Sequence, residues 1–167
     1  MKKIFYLPIA LLLIVAASCG MQNQQAADAP ANGGQTAAAK GLYAVLAINP
    51  SIRMGDAVQL KFTVYNPADS AQHFLKWQTP FEPLLSKYLD IKNEQGEELQ
   101  YKGAMAKRMM PPPADAYISI PAKDSLVANV DLMKGYALSK PGKYTITYTS
   151  ESISGLKAAQ SVSFVYR

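Results

Sequence analysis

Beyond Leu42, apolar and polar side chains alternate with a period of two. Ala44, Leu46 and Ile48 share one parity. Val58, Leu60, Phe62 and Val64 form the next run, with Gln59, Lys61 and Thr63 opposite. The alternation returns at Leu89 and Ile91, at Ile118 and Ile120, and at Leu126, Ala128, Val130 and Leu132. It closes with Tyr144, Ile146 and Tyr148 and with Val162, Phe164 and Tyr166. Successive side chains of a strand point to opposite faces, so each run predicts a strand with one buried face. Asn49-Pro50, Asn66-Pro67, Glu94 to Gly96 and Pro141-Gly142 mark turns between them. About eight or nine short strands with such turns predict an all-β fold, an antiparallel β-sandwich. Residues 80–87 and 131–138 are the two stretches with the composition of a helical turn.

Roughly 125 residues suffice for a two-sheet core without disulfides or metals. The immunoglobulin-like class fits best over residues 42–167, without the paired cysteines of antibody domains. The single cysteine, Cys19, rules out an internal disulfide. Residues 1–18 read as a secretory signal, with Lys2 and Lys3 ahead of an apolar core too short to span a bilayer. Ala16, Ala17, Ser18 and Cys19 form a lipobox-like run, with Ala16 where Leu is usual. Cys19 is therefore expected to accept a diacylglycerol on its thiol and hold the chain to a membrane. Residues 19–41 are rich in Gln, Ala, Asn and Gly, which bury too little apolar surface to offset ordering entropy, and are read as a flexible tether. Gly20, rather than Asp, follows the cysteine, which by analogy with bacterial sorting points to the outer membrane of the cell envelope.

The formal net charge of +5 falls to +3 once Lys2 and Lys3 leave with the signal. The remaining basic residues are scattered, with no stripe interleaved with aromatics, so nucleic acid is not an expected partner. His73 is the only histidine and sits in a polar stretch entering a strand. A zinc site needs several convergent ligands, so neither metal nor cofactor is expected. A nucleophilic triad would have to use the same histidine. Glu97 and Glu98 sit next to Gly96 in a turn, where carboxylates are normally solvated. No catalytic residue is assigned, and an enzyme is not expected.

The stretch that stands out runs over residues 101–113, between two strand-like runs. Gly103 suits a turn out of a strand. Pro111, Pro112 and Pro113 lack amide donors and hold an extended, unpaired backbone. Between these stops lie Met105, Ala106, Lys107, Arg108, Met109 and Met110, a cationic pair among soft apolar side chains. This loop is either a plain hairpin connection packed on its own domain or a partner-binding loop that enters another protein's groove. Trp77 reads as a core anchor beneath it. Glu82 reads as a partner for Lys107 or Arg108, so that Trp77, Glu82 and Gly103 support the loop.

Five motifs occur in order: Trp77 to Glu82 as Trp-Gln-Thr-Pro-Phe-Glu, Tyr101-x-Gly103 with Lys107-Arg108, Asp115 and Tyr117 around Ala116, Val130-Asp131-Leu132, and Gly142-x-Tyr144. The set resembles the N-terminal pro-domain of deuterolysin-type zinc metalloendopeptidases, the aspzincins, which include peptidyl-Lys endopeptidases. The family pattern has Asp-Tyr uninterrupted, and Ala116 departs from it. The chain contains no His-Glu-x-x-His, so the peptidase is expected to be absent. The resemblance implies a stand-alone relative that acts in trans on a secreted zinc metallopeptidase, as inhibitor or chaperone. A non-inhibitory binding or assembly module of the bacterial envelope is the alternative.

Overall fold

A computed structural model describes residues 41–167. The signal, the lipidation of Cys19 and all but the last residue of the tether lie outside the described residues. Strands are β1 (Tyr43–Ile48), β2 (Ser51–Ile52), β3 (Gln59–Tyr65), β4 (Gln72–Leu75) and β5 (Leu89–Asn93), followed by β6 (Tyr117–Ile120), β7 (Ser125–Asp131), β8 (Gly142–Tyr148), β9 (Lys157–Ala158) and β10 (Val162–Tyr166). One sheet has the order β7-β3-β1-β9, the second β2-β10-β8-β5, and β4 pairs with β6 in a separate two-stranded piece. The alternating runs thus form the expected immunoglobulin-like β-sandwich. The sheets are mixed rather than wholly antiparallel, because the two-residue strands β9 and β2 join β1 and β10 in parallel.

The inward parity of both sheets meets in one core. Leu46, Leu60, Phe62 and Val64 from the first sheet belong to the same buried cluster as Ile91, Ile146, Tyr148 and Phe164 from the second. Phe62 and Tyr148 touch across the gap, with ring centroids 5.2 Å apart. Burying a side chain such as Phe62 contributes about 1.5–3 kcal/mol, so this alternation is what drives the fold. Thr63 breaks the pattern by being buried on the outward parity. Its register neighbours there are Val45 on β1 and Val127 on β7, which cover it from both sides.

Helix is nearly absent among the described residues. Leu132–Lys134 forms a 3-10 turn whose first amides are met by Asp131, the carboxylate accepting from the Met133 amide at 3.1 Å. Residues 80–87 form turns instead of the expected helical segment. One unexpected α-turn, α1 (Glu151–Ser154), ends at Gly155, whose φ of 77° suits glycine.

Two connections position the candidate site. Residues 76–88 lead from β4 to β5, and residues 94–116 lead from β5 to β6. Because β5 pairs with β8 whereas β6 pairs with β4, the second connection crosses between sheets. The hairpin reading of residues 101–113 is therefore corrected: its flanking strands are not partners.

Three phenols are buried in this region of the core: Tyr88, Tyr136 and Tyr148. Tyr136 donates to the Leu89 carbonyl at 3.0 Å, and the Tyr148 hydroxyl lies 2.7 Å from Ser154 Oγ. Burial pushes Tyr148 up to about 12 and lifts Tyr88 and Tyr136 further above the ordinary phenol range. Above the ordinary value of 10.0 the unfolded chain loses phenolic protons that the folded chain keeps. The folded state then binds more protons, so stability falls as pH rises. We expect stability to be insensitive to these groups below pH 10.0 and to decline from there through about 12. Denaturant midpoints followed with tyrosinate absorbance check this. Ionisation of all tyrosines near the ordinary value in a still-folded chain would contradict it.

Candidate functional site

The site is built on the turn that follows β4. Thr79 Oγ1 donates to the Lys76 carbonyl at 2.6 Å and accepts from the Phe81 amide at 3.2 Å, which closes the turn around Pro80. Within it Gln78 adopts a left-handed φ of 58°. A non-glycine residue there costs on the order of 1–3 kcal/mol unless its surroundings hold it. Three contacts do so. The Gln78 amide donates to Glu82 Oε1 at 2.8 Å, its carbonyl lies 3.1 Å from the Tyr148 hydroxyl, which shares its one proton between that carbonyl and Ser154 Oγ, and its side-chain oxygen accepts from Ser150 Oγ at 2.8 Å.

The consequence is a carboxylate turned inward: the Glu82 side chain is 6% exposed. Arg108 reaches it from the loop, with Nη2 at 2.6 and 2.7 Å from the two carboxylate oxygens. The same guanidinium lies over Trp77, its Cζ 5.0 Å from the ring centroid. Trp77 is buried against Leu75 and Ala116, in a small cluster apart from the main core. Of the two cations next to each other in sequence, Glu82 takes Arg108. Lys107 is exposed.

A second set of contacts holds the start of the loop. The Ala106 amide donates to the Leu85 carbonyl at 2.6 Å. The Tyr101 hydroxyl lies 3.0 Å from the Leu84 carbonyl and 2.9 Å from the Ala104 carbonyl, donating its one proton to either. Its ring packs edge-on against Tyr136 at 5.2 Å. Burial raises the Tyr101 phenol above its ordinary value, with the Glu82 carboxylate adding to the shift. Gly103 is explained by space and not by a turn conformation. Its φ is outside the left-handed region, and a Cβ there would meet the Tyr101 hydroxyl at 2.3 Å.

Between these ties the loop projects. Met105, Met109 and Met110 are 72%, 84% and 77% exposed. An unpaired large apolar side chain costs free energy in water, and three in six residues make an apolar surface with a cation at its centre. His73 is exposed on β4, edge-on to Tyr117 at 5.8 Å. Among the described residues no group of three or more His, Cys, Asp or Glu is placed to hold a metal ion. Sequence reasoning named Trp77, Glu82, Gly103 and the loop. It missed Gln78 and the Leu84 and Leu85 carbonyls, because backbone acceptors carry no sequence signal. Tyr101 was visible in its motif without a role.

A family model described as an immunoglobulin-like domain matches residues 46–152. A probable neutral protease 2 homolog B of Trichophyton rubrum is 29% identical over 91 residues, covering 52% of this chain and 24% of that protein. An extracellular protease of Aeromonas hydrophila is 31% identical over 96 residues, covering 56% and 26%. The chain thus spans about a quarter of the length of the curated relatives it matches. These matches fit a module like a peptidase pro-domain, as the ordered motifs imply. Among solved structures, the Pseudomonas fluorescens alkylpurine DNA glycosylase AlkC bound to abasic-site DNA overlays 78% of this chain and 31% of that one, at TM-score 0.39 and 13% identity.

The packing around Trp77 generates a prediction. Removing its ring empties the small cluster and takes away the surface on which Arg108 rests. Trp77→Ala should cost about 3–5 kcal/mol in denaturant unfolding. An unchanged unfolding midpoint would mean that the ring contributes no packing.

Proposed function

The chain belongs to the family of immunoglobulin-like domains, and on that footing we propose that it binds a secreted zinc metallopeptidase in trans, as inhibitor or chaperone. Lipid on Cys19 holds it to the bacterial cell envelope, at the outer membrane. The likeness to protease-related proteins supports the partner class. The observation that carries the reading is the division of labour between neighbouring cations. Arg108 is committed to Glu82 and Trp77, while Lys107 is exposed among Met105, Met109 and Met110.

Peptidases bind their substrates extended, and a loop tied down on both sides presents such a shape at reduced entropic cost. In this reading Lys107 enters an acidic pocket that receives the residue just after the scissile bond. Ala106 lies across the peptidase's metal, and the methionines pack on apolar walls. Thioethers suit this role because they adapt to irregular surfaces. A second reading, a non-inhibitory assembly module of the envelope, draws on the outward face of β1, β3 and β7. Val45, Tyr65 and Val127 are exposed there.

The test is inhibition of a metalloendopeptidase that cuts before lysine. The full chain should inhibit it, and Lys107→Ala should weaken inhibition about a hundredfold, since truncating one member of a desolvated charge pair costs several kcal/mol. Its unfolding midpoint should stay unchanged. Cys19→Ser should leave the membrane fraction. Lack of inhibition by the intact chain would remove the inhibitor reading and leave the chaperone and the assembly module. A Cys19→Ser variant as membrane-bound as wild type would remove the anchor.

A further inference from the structure

The ties that hold the loop fall on the two sides of a single peptide bond, Ala106–Lys107. On one side the Ala106 amide is bonded to the Leu85 carbonyl at 2.6 Å, and the Tyr101 hydroxyl donates to the Leu84 or the Ala104 carbonyl. On the other side Arg108 is held by both oxygens of Glu82 and lies over Trp77. Leu85, Glu82 and Trp77, which receive the Ala106 and Arg108 ties, belong to one short segment, residues 77–85. That segment is itself fixed to β8 and the turn after it through Gln78, by Tyr148 and Ser150.

We infer that this double clamp makes the Ala106–Lys107 bond resistant to hydrolysis while Lys107 stays on display. Cleavage adds water across the bond. The Ala106 carbonyl carbon gains the hydroxyl, the carbon–nitrogen bond breaks, and Lys107 leaves with the proton as a free amine. In an untied loop the two new ends then separate. Here each end is held within one residue of the break, on the same support. The ends stay adjacent, the reverse step with loss of water competes with departure, and the loop remains in place. A docked peptidase also needs the backbone around the bond to leave its support before it can cut. When opening is fast relative to cutting, the cutting rate follows the population of the opened form. The biological meaning of this clamp rests on the proposed docking of the loop in a lysine-directed peptidase, but the clamp can be tested apart from it.

The full chain, Arg108→Ala and Glu82→Gln are digested with a metalloendopeptidase that cuts before lysine. Cutting at Ala106–Lys107 is followed by mass spectrometry, beside a free peptide of residues 101–113. Unfolding midpoints above the digestion temperature show that the variants are folded, and the comparison of wild type with the peptide stands without them. The bond in the full chain should be cut about a hundredfold more slowly than in the peptide. Either variant should be cut at least about tenfold faster than wild type, as expected for losing a charge-assisted tie. Equal rates in wild type and peptide, or in wild type and both folded variants, would overturn the clamp. Inhibition is read in parallel. Protection without inhibition upholds the clamp and removes the docking reading, whereas inhibition with an unprotected bond removes the clamp alone.

Discussion

The shape of the exposed loop depends on one ion pair, Arg108 with Glu82. Glu82 is almost wholly buried, and a buried carboxylate without partners carries a desolvation penalty of several kcal/mol. It is tolerated because the Gln78 amide and the Arg108 guanidinium both point at it. The dependence runs in both directions. The left-handed backbone at Gln78 is held partly by the carboxylate, and the carboxylate is aimed by that turn. Removing either would release Arg108 from Trp77 and, with it, the half of the loop that follows Lys107.

Much of the fold was legible because strand periodicity is a local property. Each inward residue of β3, β8 and β10 follows from alternation, and the two sheets follow from needing to cover those faces. Strand partners were less legible. Nothing in residues 94–116 says that β5 and β6 lie in different pieces of sheet, since pairing is decided by long-range contacts. Parallel two-residue strands such as β2 and β9 are too short to leave a periodic trace. Thr63 shows the same limit, because its burial comes from Val45 and Val127 in neighbouring strands.

The site divides along similar lines. Trp77, Glu82, Lys107 and Arg108 stand out by residue type. The choice of Arg108 over Lys107 for Glu82 does not, because both are cations at adjacent positions. Geometry decides it: a planar guanidinium can contact two carboxylate oxygens and lie over an indole at once, and an ammonium is a poorer match for both. Gly103 illustrates a residue identified for the wrong reason. Its lack of a side chain, rather than its backbone freedom, lets the Tyr101 ring close over the start of the loop. The immunoglobulin-like framework then contributes rigidity, through Tyr136 and Tyr148, beneath a segment with no regular structure of its own.

Arg108 is held by the domain through Glu82, and Lys107 is exposed beside it. A double-mutant cycle on unfolding free energy separates the two cations. It uses Glu82→Gln with Arg108→Ala, and Glu82→Gln with Lys107→Ala. We expect a coupling of about 1–3 kcal/mol for Glu82 with Arg108 and none beyond error for Glu82 with Lys107. Equal couplings, or a larger one for Lys107, would contradict it.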